Sequence, residues 1–247
     1  MSELRIVDVG DLEAFGLLPP CADPGFDHRS CDYWEDAERG SKAARSSWLE
    51  AVPAPSPPSR TALVDNPFAP PAARGPALNP FLVADEDERE DLDNPFAPRV
   101  VRERPATAGV PRKYALLDRG RGIFGTYAKV ALLEGEPVAY AQFGPLSAYP
   151  RAQRVRDLYA QLPASPLPAV ITCIATTPAA RGAGHARRLV EAVCAALAGR
   201  GFSAVEAYPE AGARPDATSA ATPAFWVACG FAVAVDDDRF PVVRREL

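Results

Sequence analysis

The segment best suited to chemistry is Arg181-Gly182-Ala183-Gly184-His185-Ala186, two glycines one residue apart at the mouth of an amphipathic stretch. Glycine lets the backbone turn through conformations that side chains hinder. Successive amide N–H groups then line a concavity at a helix N-terminus, where the helix dipole favours an anion. Arg181 places a cation at the mouth, and Arg187 and Arg188 extend it. The chemistry predicted is phosphate binding. An ordinary strand-to-helix turn has the same glycines, so the flanks must decide.

The flanks supply a strand and a helix. Ala169–Thr176 is a continuous apolar, β-branched run, as a buried strand requires, and Pro178 stops it. Ala186, Leu189, Val190, Val193 and Leu197 follow helical spacing over residues 183–197, with Gly199 and Gly201 to end the helix. Before them, Glu134-Gly135-Glu136 between two apolar runs predicts a hairpin of 127–133 with 137–143. A polar helix is expected over 151–161 and a strand over 202–208. Thr222-Pro223 opens a short helix to Ala228, and strands follow at 231–235 and 242–246. Near the N-terminus, residues 4–9 read as a strand, Asp11 as the cap of a short helix, and 33–49 as a second helix.

Between these regions the texture changes. Residues 53–111 carry prolines throughout and the acidic run 85–88. Proline removes backbone donors and blocks helix and central strand alike, so this segment is expected to be disordered. Within it, Asp65-Asn66-Pro67-Phe68-Ala69-Pro70 recurs as Asp93-Asn94-Pro95-Phe96-Ala97-Pro98, with a partial copy at 79–81. An aromatic presented on an Asn-Pro turn suits a protein partner docking through 65–98; a duplicated linker without a partner is the commoner origin of such repeats.

Composition narrows the classes. The 247 residues are 47% hydrophobic, enough for a sizeable core, and the net charge of −5 leaves no basic footprint for nucleic acid. No apolar run reaches membrane-spanning length, and the first residues lack a signal peptide's basic and apolar segments, so a cytoplasmic protein is expected. Five scattered cysteines and two histidines, His28 and His185, do not suit a disulfide framework or a zinc site, and no metal is expected.

An apolar strand, a proline, Arg-x-x-Gly-x-Ala from Arg181 to Ala186 and an amphipathic helix closely resemble the cofactor motif of the GNAT superfamily of acyl-CoA-dependent N-acyltransferases. Ala224-Phe225-Trp226-Val227-Ala228-Cys229-Gly230-Phe231 looks like the helix and Gly-Phe start of the same family's final hairpin. A dinucleotide fold would place its glycine loop after the first strand of a parallel sheet, whereas here it follows a hairpin. The resemblance covers about 1–52 and 112–247, with 53–111 inserted. It implies an α+β fold, a mixed, mostly antiparallel sheet flanked by helices. It also implies acetyl-CoA or another acyl-CoA as co-substrate, an amine acceptor, and compatibility with a homodimer.

By that resemblance Ile174, Ala175 and Thr176 lend backbone groups to the pantetheine arm. Residues Arg181, Gly182, Ala183, Gly184, His185 and Ala186 hold the pyrophosphate, with Arg187 beside them and the His185 ring solvated. Attack by an amine requires loss of a proton. Alternation places Phe202, Ala204, Glu206 and Tyr208 on one face of their strand, which makes Glu206 the candidate base and Tyr208 a candidate acid. A half-buried Glu206 paired with an arginine is the competing expectation. Trp226 stands where many members carry a catalytic tyrosine, and indole has no titratable proton in range. That leaves open a degenerate member that binds acyl-CoA, senses it or only scaffolds. Acceptors are expected near 26–49, 144–168 and 236–241, where Asp236-Asp237-Asp238 would attract a cation or merely solvate a turn.

Overall fold

The computed structural model describes residues 3–21, 26–35, 110–211 and 218–247. The chain divides into one unit of Met1–Leu49 with Ala106–Leu247 and another of Glu50–Pro105. The second unit, the Asn-Pro-Phe repeats and nearly all of the helix expected over 33–49 lie outside the described residues. Of that helix, residues 33–35 are described, and they form a turn.

Alternating and β-branched stretches form one sheet. Its strands are β1 (Leu4–Asp8), β2 (Ala128–Leu133), β3 (Glu136–Pro145), β4 (Ala169–Thr176), β5 (Ala204–Ala207), β6 (Ala232–Val235) and β7 (Val242–Glu246). Their order is β1-β2-β3-β4-β5-β7-β6, and only β4 and β5 run parallel. The mixed, mostly antiparallel sheet is the expected one. The β2–β3 hairpin turns on Glu134 and Gly135, with φ of 53° and 91°. Two left-handed residues match the twist of the flanking strands.

Helices lie among the strands: α1 (Leu12–Gly16), α2 (Arg112–Asp118), α3 (Arg121–Phe124), α4 (Pro150–Arg156), α5 (His185–Gly199) and α6 (Pro223–Ala228). The Asp11 carboxylate accepts the Ala14 N–H at 2.8 Å and caps α1 as expected. The polar helix after β3 is shorter than its pattern, ending at Arg156.

Side-chain alternation on β3 sorts the two faces. Ala139, Ala141 and Phe143 join Ala131, Ile174 and Val205 under Leu189, Val190, Val193 and Leu197 of α5. Alanines at the contact let the helix backbone approach. The opposite face gathers larger groups, Tyr140, Tyr149, Trp34, Phe15, Leu117 and Tyr208.

The parting of β4 from β5 positions the site. β4 pairs with β5 only from Ala169↔Val205 to Ile171↔Ala207. On its other edge, Gln142 pairs with Cys173 but Phe143 with Ile171, so Thr172 is bulged out. A bulge adds twist and bends the strand. Past it, β4 runs on to Thr176 without β5.

Gly144 packs between two rings: a Cβ there would stand 2.8 Å from Tyr127 Cδ1 and 3.0 Å from Tyr149 Cε2. Tyr149 cannot easily retreat, because its hydroxyl donates to the Phe143 carbonyl at 2.9 Å. Gly144→Ala is therefore expected to destabilise the fold by about 1–3 kcal/mol, read from urea unfolding. An unchanged midpoint would show that the rings yield.

Candidate functional site

β4 ends in a 3-10 turn, Pro178–Ala180, and the glycine loop follows. Gly182 and Gly184 both have φ of 79°, and a Cβ on either would meet no atom within 4 Å. Glycine is therefore required by backbone conformation and not by crowding. Gly184 is the N-cap of α5 and offers no side-chain cap. The first amides of an α-helix have no partner within it, so those of α5 are open to an acceptor from outside.

They border a cleft of about 390 Å³. Of the residues expected to bind the cofactor, Ile174, Ala175, Thr176, Arg181, Gly182, Gly184, His185, Ala186 and Arg187 line it, and Ala183 does not. Two expectations need correction. The His185 ring is buried, with Nδ1 lacking a partner, because His185 shares the inner face of α5 with Leu189 and Val193. Also, the Ile174 N–H already donates to the Ser219 carbonyl at 2.6 Å, so it is not available to a ligand in this conformation.

Thr218, Ala221, Thr222 and Phe225 form the facing wall. The Thr222 hydroxyl accepts the Phe225 N–H at 3.4 Å and caps α6. Phe225 borders the cleft, whereas Trp226 is wholly buried and donates its indole N–H to the Ala220 carbonyl at 2.9 Å. Trp226 thus fastens the wall from behind.

Glu206 is fully buried on β5. Its Oε2 accepts from Arg156 Nε at 3.1 Å and from the Tyr208 hydroxyl at 3.1 Å, and its Oε1 accepts from Arg244 at 2.9 Å. Burial, then the Glu206 charge, raises the Tyr208 phenol well above its ordinary value. Asp237 Oδ1 accepts the backbone N–H groups of Arg239 and Phe240, each at 2.8 Å, and so builds a turn.

A second polar cluster escaped the sequence reading. Glu35 Oε1 accepts from Lys113 Nζ at 2.5 Å and from Gln142 Nε2 at 2.6 Å. The Tyr140 hydroxyl donates to Gln142 Oε1 at 3.4 Å, and the His28 ring packs at a tilt against Tyr140 with centroids 4.7 Å apart. Lys113 and His28 are each 3% exposed. Glu35 Oε2 and His28 Nε2 are buried without partners. The available signals were a glutamine within an apolar strand and one of only two histidines.

The profile of the "Acetyltransferase (GNAT) family" matches residues 85–231, more than half of the chain. The chain belongs to the GNAT acetyltransferase family. The match reaches into the proline-rich segment and leaves β1, α1, β6 and β7 outside. No curated protein matches the chain. Solved structures similar to this chain include an acetyltransferase from Thermus thermophilus, 23% identical, with 49% of this chain and 63% of that one covered and a TM-score of 0.34. A ribosomal-protein-alanine N-acetyltransferase from Brucella melitensis is 21% identical over 55% and 76%, with a TM-score of 0.37. An N-acetyltransferase from Staphylococcus aureus is 17% identical over 55% and 74%, with a TM-score of 0.35. The chain thus spans less than two thirds of the Thermus protein. Among the described residues, no group of three or more His, Cys, Asp and Glu could hold a metal, and no helix is long and apolar enough to cross a membrane.

The two polar clusters make separate predictions. Removing the Glu206 charge would leave Arg156 and Arg244 without it in a buried setting, so Glu206→Gln is expected to cost about 3–5 kcal/mol in urea unfolding. A cost below about 1 kcal/mol, the size of an exposed pair, would refute a buried clamp. Burial, reinforced by Lys113 and opposed by Asp27, lowers the His28 imidazole from 6.5 to about 4. Between those values the unfolded chain binds a proton that the native chain refuses. Stability from this group is full above pH 6.5 and declines as pH falls toward 4, by about 3 kcal/mol in total. Denaturation of wild type and His28→Asn across that window checks it; parallel pH profiles would refute it.

Proposed function

We propose that this chain transfers an acetyl or other acyl group from acyl-CoA to an amine on a small molecule or protein. The observation that carries the reading is the uncapped N-terminus of α5, reached through two left-handed glycines and opening on the cleft beside β4. The loop from Arg181 to Ala186 suits a pyrophosphate: backbone N–H groups and the helix dipole favour it, and Arg181 and Arg187 add charge. The exposed length of β4 at Ala175 and Thr176 suits the pantetheine arm. The thioester then lies toward the point where β4 leaves β5.

The proton is the harder half. Glu206 and Tyr208 stand near that point, as the catalytic pair drawn from the sequence must. Both oxygens of Glu206, however, accept from guanidinium groups, and the Tyr208 proton is directed at Glu206. We therefore take the pair as positioning groups that fix the end of β5, with water protonating the leaving thiolate.

A second reading is a catalytically degenerate acyl-CoA-binding protein that senses acyl-CoA or scaffolds, docking a partner through its Asn-Pro-Phe repeats. It is favoured by α6, where Phe225 lines the cleft and Trp226 is committed to Ala220, so neither supplies a proton. In either reading, residues 1–52 and 112–247 form one cytoplasmic acyltransferase domain into which 53–111 is inserted.

Gly184→Glu separates these readings from an unrelated turn. It places a carboxylate at the anion site and strains a left-handed position by about 1–2 kcal/mol. Calorimetry is expected to lose acetyl-CoA binding while circular dichroism is unchanged, with NADH binding neither form. Unchanged affinity would refute the loop's role. Tight acetyl-CoA binding with no turnover of any amine in a broad panel would favour the second reading.

A further inference from the structure

Glu35 lies in a turn and meets Lys113 of α2 and Gln142 of β3. Both partners bind the same oxygen, Oε1, while Oε2 is buried with no donor. A carboxylate serving only to tie the turn to α2 would be expected to satisfy both oxygens, because an unmet buried acceptor costs about 1–3 kcal/mol or more. The next orphan is His28 Nε2, on a ring packed against Tyr140, which donates to the same Gln142. In the tautomer protonated on Nδ1 it too is an acceptor. Two buried acceptors without donors call for a ligand that brings N–H groups.

The cluster lies on the sheet face opposite α5, one strand position from the cleft. Gln142 pairs in register with Cys173, the residue before Ile174, which lines the cleft. Cys173 follows the Thr172 bulge that bends β4 away from β5. Ser219, beside the cleft wall, approaches the Cys173 sulfur at 3.8 Å, and Trp34, next to Glu35, packs on Tyr208 with centroids 6.1 Å apart. The charge balance selects the form of the ligand. Lys113 offsets Glu35, so the cluster favours an uncharged amine, the nucleophilic form, over an ammonium ion.

We infer that Glu35 is the catalytic base and that Glu35 Oε2 and His28 Nε2 hold the acceptor amine, an assignment that rests on the acyltransferase reading above. The amine lone pair attacks the thioester carbonyl carbon. The N–C bond forms, the C–S bond breaks, and its electron pair leaves on the CoA sulfur. The amine proton passes to Glu35 Oε2 and from there to solvent, and the thiolate takes a proton from water. Lys113 and Gln142 fix the carboxylate through its other oxygen.

The test uses the full chain, saturated with CoA, and butylamine as probe. The two histidines give two sets of ring nitrogen signals in NMR. Butylamine is expected to shift the His28 signal saturably and leave His185 in place. Glu35→Gln should weaken butylamine binding about tenfold or more, the loss of one hydrogen bond to a charged group, with CoA affinity unchanged. Acetylation of butylamine by acetyl-CoA should fall about 100-fold or more in kcat while the KM for acetyl-CoA stays. Because Glu35→Gln leaves Lys113 unpaired, Glu35→Gln with Lys113→Met is run beside it and should show the same two losses. No His28 shift at the highest butylamine concentration the fold tolerates, butylamine binding by both variants equal to that of wild type, or undiminished kcat would overturn the assignment. Failure of the wild type to bind CoA would instead overturn the acyltransferase reading.

Discussion

The structure depends on one divergence, the parting of β4 from β5 after Ile171 and Ala207. Parallel strands that stayed paired would satisfy each other's backbone and leave no opening. The Thr172 bulge ends that pairing by bending β4, and the bulge is held from the other side, where the Thr172 hydroxyl donates to the Gln142 carbonyl at 3.3 Å. Past the bulge, the edge of β4 faces the segment before α6, whose Ser219 accepts from Ile174. The opening is bordered by the end of β4 on one side and by Thr218, Ala221, Thr222 and Phe225 on the other, and it leads to the N-terminus of α5. One strand therefore sets both ends of the cleft.

The cleft's anion end is secured by packing. α5 sits on alanines 131, 139 and 141, and its Leu189, Val193 and Leu197 are fully buried. That burial stabilises a helix whose N-terminus has neither a side-chain cap nor an acidic first turn. A conventional cap would satisfy the same amides and compete with an incoming anion. Leaving them open is tolerable because the remainder of the helix is well anchored. His185 follows from the same geometry: a residue on the inner stripe is buried even at the helix's first position.

Strong local patterns made much of this legible. The run 169–176, the glycine loop and the helical spacing after it each carry a period or a turn that few other structures fit, and the family follows from them. The shortening of the helix expected at 151–161 was not legible, because a polar, weakly periodic pattern does not mark where packing ends. Nor was the state of Glu206. Alternation put it on the right strand and beside Tyr208, but Arg156 and Arg244 come from 50 and 38 residues away. The cluster of His28, Glu35, Lys113 and Gln142 was less visible still, since Lys113 and Gln142 come from 78 and 107 residues beyond Glu35.

The Glu35–Lys113 pair also bears on how the long proline-rich segment is accommodated. The two residues are 78 apart, and they meet beneath the sheet face that carries Gln142. Chain closure costs only (3/2)RT ln n, about 0.6 kcal/mol for each doubling of length, so a long segment between two fixed ends is inexpensive provided the ends are held. A short buried ion pair, with a second donor from β3, is such a hold. The same contact fixes one oxygen of Glu35 and leaves the other without a donor.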